Sequence, residues 1–286
     1  MYVGVDVGGT KTLVAALTDD GEILESRKFP TPENYKHFLL ELQHALVHME
    51  HKDFKAGAAG IPVTNFNRDT GRAINFGNLP WHNVLVQADL ERVFGCPFAV
   101  NNDAKLASLS EAMLLKGEYR RLLYVTISTG IGYALTVNGE IDDNIGDGGG
   151  RSIMLEHKGK LQAWETYASG KAIVARYGER AEDIHDEPTW KAIARDLTQG
   201  FLELIAIMQP DVIVVGGSVG NYFERFQLFL ESALKQYETP LLPIPDLRKA
   251  QRPNEAVIFG CYDLAIATFS QKNMVEKAGK KHAKAA

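Results

Sequence analysis

The feature that most limits how this chain can fold is a hairpin written twice. GGTKTLVAALTDDGEI, from Gly8, and STGIGYALTVNGEI, from Ser128, each lead from a small-residue turn through an apolar strand to a Gly-containing turn and a further strand. In both places an apolar run enters the turn, residues 2–7 before the first and residues 122–127 before the second. Short apolar runs bounded by Gly, Asn and Asp are the mark of strands joined by tight turns. Two copies so far apart imply duplicated halves rather than a short-period array. The 286 residues, at roughly 150 per domain, leave room for two such halves.

The rest of the chain alternates helix with strand. Phe38, Leu39, Leu42, Ala45, Leu46 and Met49 share one face at helical spacing, with Lys36, Glu41, Gln43 and Glu50 off it. Residues 55–61 and 97–100 read as strands, with a helix over about 84–94 between them. The second half predicts helices over 166–177, 189–209 and 223–236, interrupted by a strand at 212–215 that runs into Gly216-Gly217. A last helix is expected over 261–269. The fold class is α/β. The expected boundaries are a small N-terminal lobe over 1–113, completed by the helix near 261–270, and a larger lobe over 114–268. Beyond them, residues 272–286 carry five Lys against one Glu and read as a solvated, frayed tail.

Charge and cysteine content narrow the function. With 31 Lys and Arg against 36 Asp and Glu there is no basic field to hold nucleic acid or anionic lipid. No run of about 18 apolar residues occurs, and the first residues lack the pattern of a signal peptide. A cytoplasmic protein without nucleic-acid or membrane partners is expected. Cys96 and Cys261 are too few for a four-thiolate zinc site or a disulfide framework.

Three strand ends carry glycines. Gly8-Gly9-Thr10-Lys11 follows an apolar strand and offers backbone N–H groups with little side chain in the way, as a phosphate chain requires. Neither Walker nor Rossmann patterns apply, because Thr10 separates Gly9 from Lys11 and the next residues are strand-like, not helical. Taken alone it reads first as a plain hairpin turn. Ser128-Thr129-Gly130 repeats the chemistry, and Gly216-Gly217 ends a third apolar strand, so a nucleotide held between two lobes is the reading all three share. Asp6, in an apolar strand just before the first turn, is either on a solvent face or compensated by a nucleotide-borne Mg²⁺, through water. Asn101-Asn102-Asp103 stands at a strand end before a helical stretch: an N-cap, or a base with a polar neighbour able to meet a polyol.

DVGGTKT at 6–12, NNDAKLASLSEA at 101–112, STGIG at 128–132, ETYASG at 165–170 and PDVIVVGG at 210–217 resemble, in order and spacing, the ROK family of repressors, open reading frames and sugar kinases. The resemblance implies two ribonuclease-H-like lobes of the actin-like ATPase and hexokinase superfamily, with ATP and sugar in a central cleft. It assigns Asp103 as the base that deprotonates the attacking hydroxyl. Asn78 and Asn102 become sugar contacts, and Glu165 an acceptor of sugar hydroxyls. Gly8, Gly9, Thr10 and Lys11, with Ser128, Thr129 and Gly130, would hold phosphates; Asp6 would act through Mg²⁺, and Gly216 and Gly217 would lie against the adenosine. Relatives also imply a homodimer. Repressor members carry a helix-turn-helix domain ahead of the first strand, which here begins at residue 2, so DNA binding is not expected.

The chain departs from the family at three places. Most members have Glu-x-Gly-His followed by a cysteine cluster that holds zinc; here Gly148 to Met154 leads to Glu165 without a cysteine, so no zinc is expected. Arg151 takes the place of the family's sugar-binding Glu and Met154 that of its His, while His157 reads as an exposed histidine beside Lys158. A guanidinium only donates where a carboxylate accepts, so Arg151 means either an altered substrate or a rebuilt loop. Val63 follows Gly60-Ile61-Pro62 where the family has Gly. The expectation is an ATP- and Mg²⁺-dependent kinase of a hexose or related sugar, glucokinase-like or fructokinase-like. The alternatives are a non-catalytic sensor of the same fold and a glucokinase that uses polyphosphate.

Overall fold

The computed structural model describes residues 1–252 and 254–270. The chain divides into two compact units, Met1–Ser110 with the segment from Glu255 on, and Glu111–Asn254. The expected tail at 272–286 lies outside the described residues. No described helix is long and apolar enough to cross a membrane.

The first unit is built on β1 (Tyr2–Val7), β2 (Lys11–Leu17), β3 (Ile23–Pro30), α1 (Tyr35–Val47) and β4 (Ala56–Ile61). A small antiparallel sheet follows, β5 (Val63–Asn67), β6 (Arg72–Phe76) and β7 (His82–Val84); then come α2 (Val86–Phe94), β8 (Phe98–Asn102) and α3 (Asp103–Leu114). The main sheet has the order β3-β2-β1-β4-β8, antiparallel on the hairpin side and parallel across β1, β4 and β8. Val3, Val5 and Val7 line one face of β1 and are wholly buried, while Gly4 on the other face meets the last helix, so this central strand is covered on both sides. The last helix, Ala256–Phe269, lies against this sheet and α3 at distances only glycines permit. A Cβ on Gly4 of the sheet would stand 3.2 Å from the Ile258 carbonyl and one on Gly60 2.3 Å from Val257, while one on Gly260 would stand 2.0 Å from the Leu106 carbonyl of α3.

The second unit repeats the plan with β9 (Arg121–Ile127), β10 (Ile131–Val137) and β11 (Glu140–Ile141). A hairpin of β12 (Met154–His157) and β13 (Lys160–Ala163) leads to α4 (Glu165–Ala168), α5 (Gly170–Tyr177) and α6 (Glu187–Met208). β14 (Val212–Gly216), α7 (Gly217–Gly220), α8 (Gln227–Lys235) and β15 (Asp246–Lys249) complete it. The sheet order is β11-β10-β9-β14-β15, with β9, β14 and β15 parallel. Strand for strand this is the order of the first unit.

Several elements differ from the sequence reading. The helix expected over 166–177 breaks at Ser169, which is extended at ψ 164° and caps α5 by accepting from the Ala172 N–H at 3.3 Å. The final helix begins at Ala256 rather than 261, because the apolar run extends back through Ile258 and Val257 onto the sheet. Neither the β5–β6–β7 sheet nor the β12–β13 hairpin was expected, their residues being too polar and mixed to show a clear period.

Candidate functional site

In the first unit the residues of interest gather at one end of the parallel strands. Asp6 of β1 is level with Gly60 of β4, and Gly60 with Asn101 of β8, so Asp6, Gly60 and Asn101 to Asp103 share the carboxyl end of the sheet. In open α/β sheets that end is where ligands bind. A turn closes there through the Gly8 N–H donating to the Lys11 carbonyl at 2.9 Å, while Thr31 Oγ1 donates to the Gly8 carbonyl at 2.8 Å. The N–H groups of Gly9 and Thr10 are not spent on the described residues. A Cβ on Gly9 would stand 2.9 Å from that of Asn78, which places Asn78 directly against the turn.

Two carboxylates stand together at this end. Burial pushes the Asp6 carboxyl up to about 7; the neighbouring Asp103 carboxylate adds to the shift and Lys11 opposes it. An acid so placed needs a proton or a cation. In the Asn-Asn-Asp stretch, legible as a helix cap or as a base, the cap falls to the middle residue. Asn102 is the cap: its Oδ1 accepts from the N–H groups of Ala104 at 2.9 Å and Lys105 at 3.4 Å, and its Nδ2 donates to the Val63 carbonyl at 2.9 Å. Asp103 is the first helical residue, half-buried, and its Oδ1 also accepts from the Ala104 N–H at 2.8 Å. Asn101 Oδ1 accepts from Arg68 in the β5–β6 turn at 3.3 Å, a contact that no sequence pattern announced.

The second unit also gathers its glycine turns at the carboxyl end of its sheet. The Ser128 N–H donates to the Gly130 carbonyl at 2.8 Å, leaving the N–H groups of Thr129 and Gly130 uncommitted among the described residues. Gly216 is level with Thr126, so Gly216-Gly217 is brought beside the end of β9. Gly217 adopts φ +85°, and a Cβ there would meet the Ile127 carbonyl at 2.5 Å. Gly216 faces the Tyr124 hydroxyl, which would stand 2.1 Å from an added Cβ.

Glu165 does more in this unit than the sequence suggests. Its Oε2 accepts from the Ile131 N–H at 2.8 Å and its Oε1 from Arg151 Nε at 2.7 Å. The Arg151 side chain is 45% exposed, a setting in which an ion pair stabilises by about 1 kcal/mol or less. A hydrogen bond to a charged group typically contributes about 1.5–3 kcal/mol, so the grip on Ile131 outweighs the ion pair. Met154 is exposed at the start of β12. His157 differs from the expectation of an exposed side chain: it is half-buried and stacks on Tyr167, centroids 4.0 Å apart, with Nε2 enclosed. Among the described residues no cluster of three His, Cys, Asp or Glu side chains is arranged for a metal.

These strand-end turns, duplicated on one sheet order, are matched by the sequence profile of the ROK family over residues 2–268. The chain belongs to the ROK family. A glucokinase of Streptomyces coelicolor is 24% identical over 93% of this chain and 97% of its own length. An N-acetylmannosamine kinase of Escherichia coli is 30% identical over 92% of this chain and 98% of its own. Among solved structures, a ROK family glucokinase from Streptomyces griseus in complex with glucose and AMPPNP aligns with TM-score 0.78 at 21% identity, covering 92% of this chain and 98% of that one. The likeness establishes that the two repeated sheets are those of the fold solved for this ROK family member.

Proposed function

We propose that this protein is a kinase that transfers the terminal phosphoryl group of ATP to a hydroxyl of a hexose or related sugar, with Asp103 as general base. The observation that carries the reading is the division of labour at the start of α3. Asn102 reaches the Lys105 N–H and shares that of Ala104 with Asp103 Oδ1, so capping does not require Asp103, which stands beside a second, desolvated carboxylate and a glycine turn. Phosphoryl transfer asks of a protein chiefly positioning and charge neutralisation, with a positioned base adding typically ~10²–10⁴-fold. The turns Gly8–Lys11 and Ser128–Gly130 would supply N–H donors to phosphate oxygens, and Gly216-Gly217 would border the adenosine. Asn78, against the first turn, and Asn102 would meet sugar hydroxyls; Asn102 offers only what its three protein hydrogen bonds leave.

The carboxylate pair fits Mg²⁺, a cation usually bound through one or two carboxylates, substrate phosphates and retained waters. A Mg²⁺ there would neutralise charge on the transferred group, and Asp6, through water, with Asp103 nearby, would hold it. Relatives that act on glucose and on N-acetylmannosamine support a sugar as acceptor and leave its identity open.

The experiment is a coupled ADP-release assay with ATP and Mg²⁺ on glucose, fructose, N-acetylmannosamine and a uronic acid. Turnover on at least one is expected, and Asp103→Asn lowers kcat by ~10²–10⁴-fold with the melting temperature unchanged. Absence of turnover on every sugar, with ATP or polyphosphate as donor and ligand binding intact, would establish the sensor instead. A preference for the uronic acid would mark Arg151 as the source of altered specificity.

A further inference from the structure

Glu165, which the family resemblance gives to sugar hydroxyls, is bound by two protein donors on one side of its unit. Ile131, whose N–H it accepts, is the residue immediately after the Ser128–Gly130 turn. Gly130 has no room for a Cβ because Glu165 Oε2 would lie 2.4 Å from it. The carboxylate therefore sits directly beneath the turn. Its second donor, Arg151, comes from the loop at Gly149–Arg151, which presses on the same place: a Cβ on Gly149 would meet the Ile131 carbonyl at 2.4 Å, and one on Gly150 the Ile131 Cβ at 2.9 Å. From the other side, the Gly170 N–H donates to the Ser128 carbonyl at 2.7 Å, and Gly170 lies in the same short α4–α5 segment as Glu165.

We infer that Glu165 is a positioning residue for the phosphate donor, holding the Ser128–Gly130 turn so that the N–H groups of Thr129 and Gly130 stay presented, with Arg151 holding Glu165 in turn. The inference rests on the kinase reading, in which that turn meets phosphate. The Ser128 N–H is consumed in closing the turn and the Ile131 N–H by Glu165, which leaves the two between them uncommitted among the described residues. Without the carboxylate, the Ile131 N–H would seek another acceptor and the turn would relax with it. Arg151, standing where the family has a sugar-binding Glu, here pairs with the neighbouring carboxylate. That charge reversal turns an acceptor site for hydroxyls into a strut.

The test separates donor from acceptor affinity. Full-length wild type, Glu165→Ala, Glu165→Gln and Arg151→Gln are titrated calorimetrically with AMPPNP and Mg²⁺, and KM is measured for ATP and for whichever tested sugar the wild type turns over best. Glu165→Ala is expected to raise the AMPPNP Kd and the ATP KM about 10- to 100-fold, the equivalent of one hydrogen bond to a charged group, with the sugar KM within about twofold. Glu165→Gln, which keeps an acceptor for Ile131, recovers most of that loss, and Arg151→Gln raises the AMPPNP Kd about threefold. A rise in sugar KM with AMPPNP affinity unchanged would return Glu165 to the sugar and overturn the inference, as would no change in either constant. Should Glu165→Ala not fold, Glu165→Gln and Arg151→Gln decide by the same donor-against-acceptor split. Wild type that binds no AMPPNP would instead refute the kinase reading itself.

Discussion

The two units share a sheet order and a hairpin, yet they fill the equivalent strand ends with different chemistry. In the first, Val7 pairs with Thr12 across the Gly8–Lys11 turn; in the second, Ile127 pairs with Ile131 across Ser128–Gly130, a turn one residue shorter. Counting back from those pairs, Asp6 corresponds to Thr126. Where the first unit keeps a desolvated acid beside Asp103, the second has a hydroxyl that crowds Gly217. The supports differ as well. Neutral groups, Asn78 and Thr31, brace the first turn, while an Arg151–Glu165 pair braces the second. The comparison teaches that one backbone plan presents N–H groups in both units, while a buried acid stands beside the turn in one and a hydroxyl in the other.

Three changes would break or sharpen this contrast. The largest stability effect is expected from Gly170→Ala, since the new Cβ would lie 2.5 Å from the Ser128 carbonyl, where backbone cannot yield. Destabilisation of about 1–3 kcal/mol by chemical denaturation is expected, with nucleotide affinity falling in parallel. A neutral variant would show that the second turn is not held from that side.

The next effect belongs to the acid of the first unit. Asp6 is protonated up to about pH 7 in the folded chain and loses its proton near 3.8 when unfolded, so the native state binds more protons between those values. Stability from this group therefore falls as pH rises from about 4 to 7 and is level above. Asp6→Asn should be indistinguishable from wild type near pH 4 and more stable by roughly 1–2 kcal/mol at pH 8 in chelator-treated buffer, a discounted fraction of ~1.4 kcal/mol per pKa unit. A stability difference that does not grow with pH would remove the desolvated acid from the account.

The smallest effect is in the brace of the second turn. Arg151→Gln should cost less than about 1 kcal/mol in denaturation, because the arginine's side chain is nearly half exposed. A larger loss would mean that the Gly149–Arg151 loop, not Glu165 alone, holds that unit together.

Much of the plan was legible because it rests on local rules. Val3, Val5 and Val7 announce a buried strand, Gly8-Gly9 its turn, and the second copy at Ser128 the repeat. The Asn-Asn-Asp stretch was legible as important and not as to role, since cap and base draw on the same residue types. Only the hydrogen bonds to the Ala104 and Lys105 nitrogens assign the cap to Asn102. Arg151 was legible as a departure, while its partner, Glu165, was not, because opposite charges in different loops carry no spacing rule. The β5–β6–β7 sheet was silent because its residues show no clear period, and its Arg68 contact to Asn101 because partners in distant segments carry no spacing rule.

Read alone, the chain of residues determined the duplicated α/β plan, the family, and the short list of side chains able to do chemistry. Those properties follow from periodicity, turn chemistry and residue type, which act over a few neighbours. The tertiary structure decided which carboxylates meet which groups: Asp6 beside Asp103, and Glu165 beneath a glycine turn instead of open to solvent. Such contacts depend on parallel-strand register and on loops folding back, and desolvation and hydrogen-bond geometry exist only once those distant segments have been packed together.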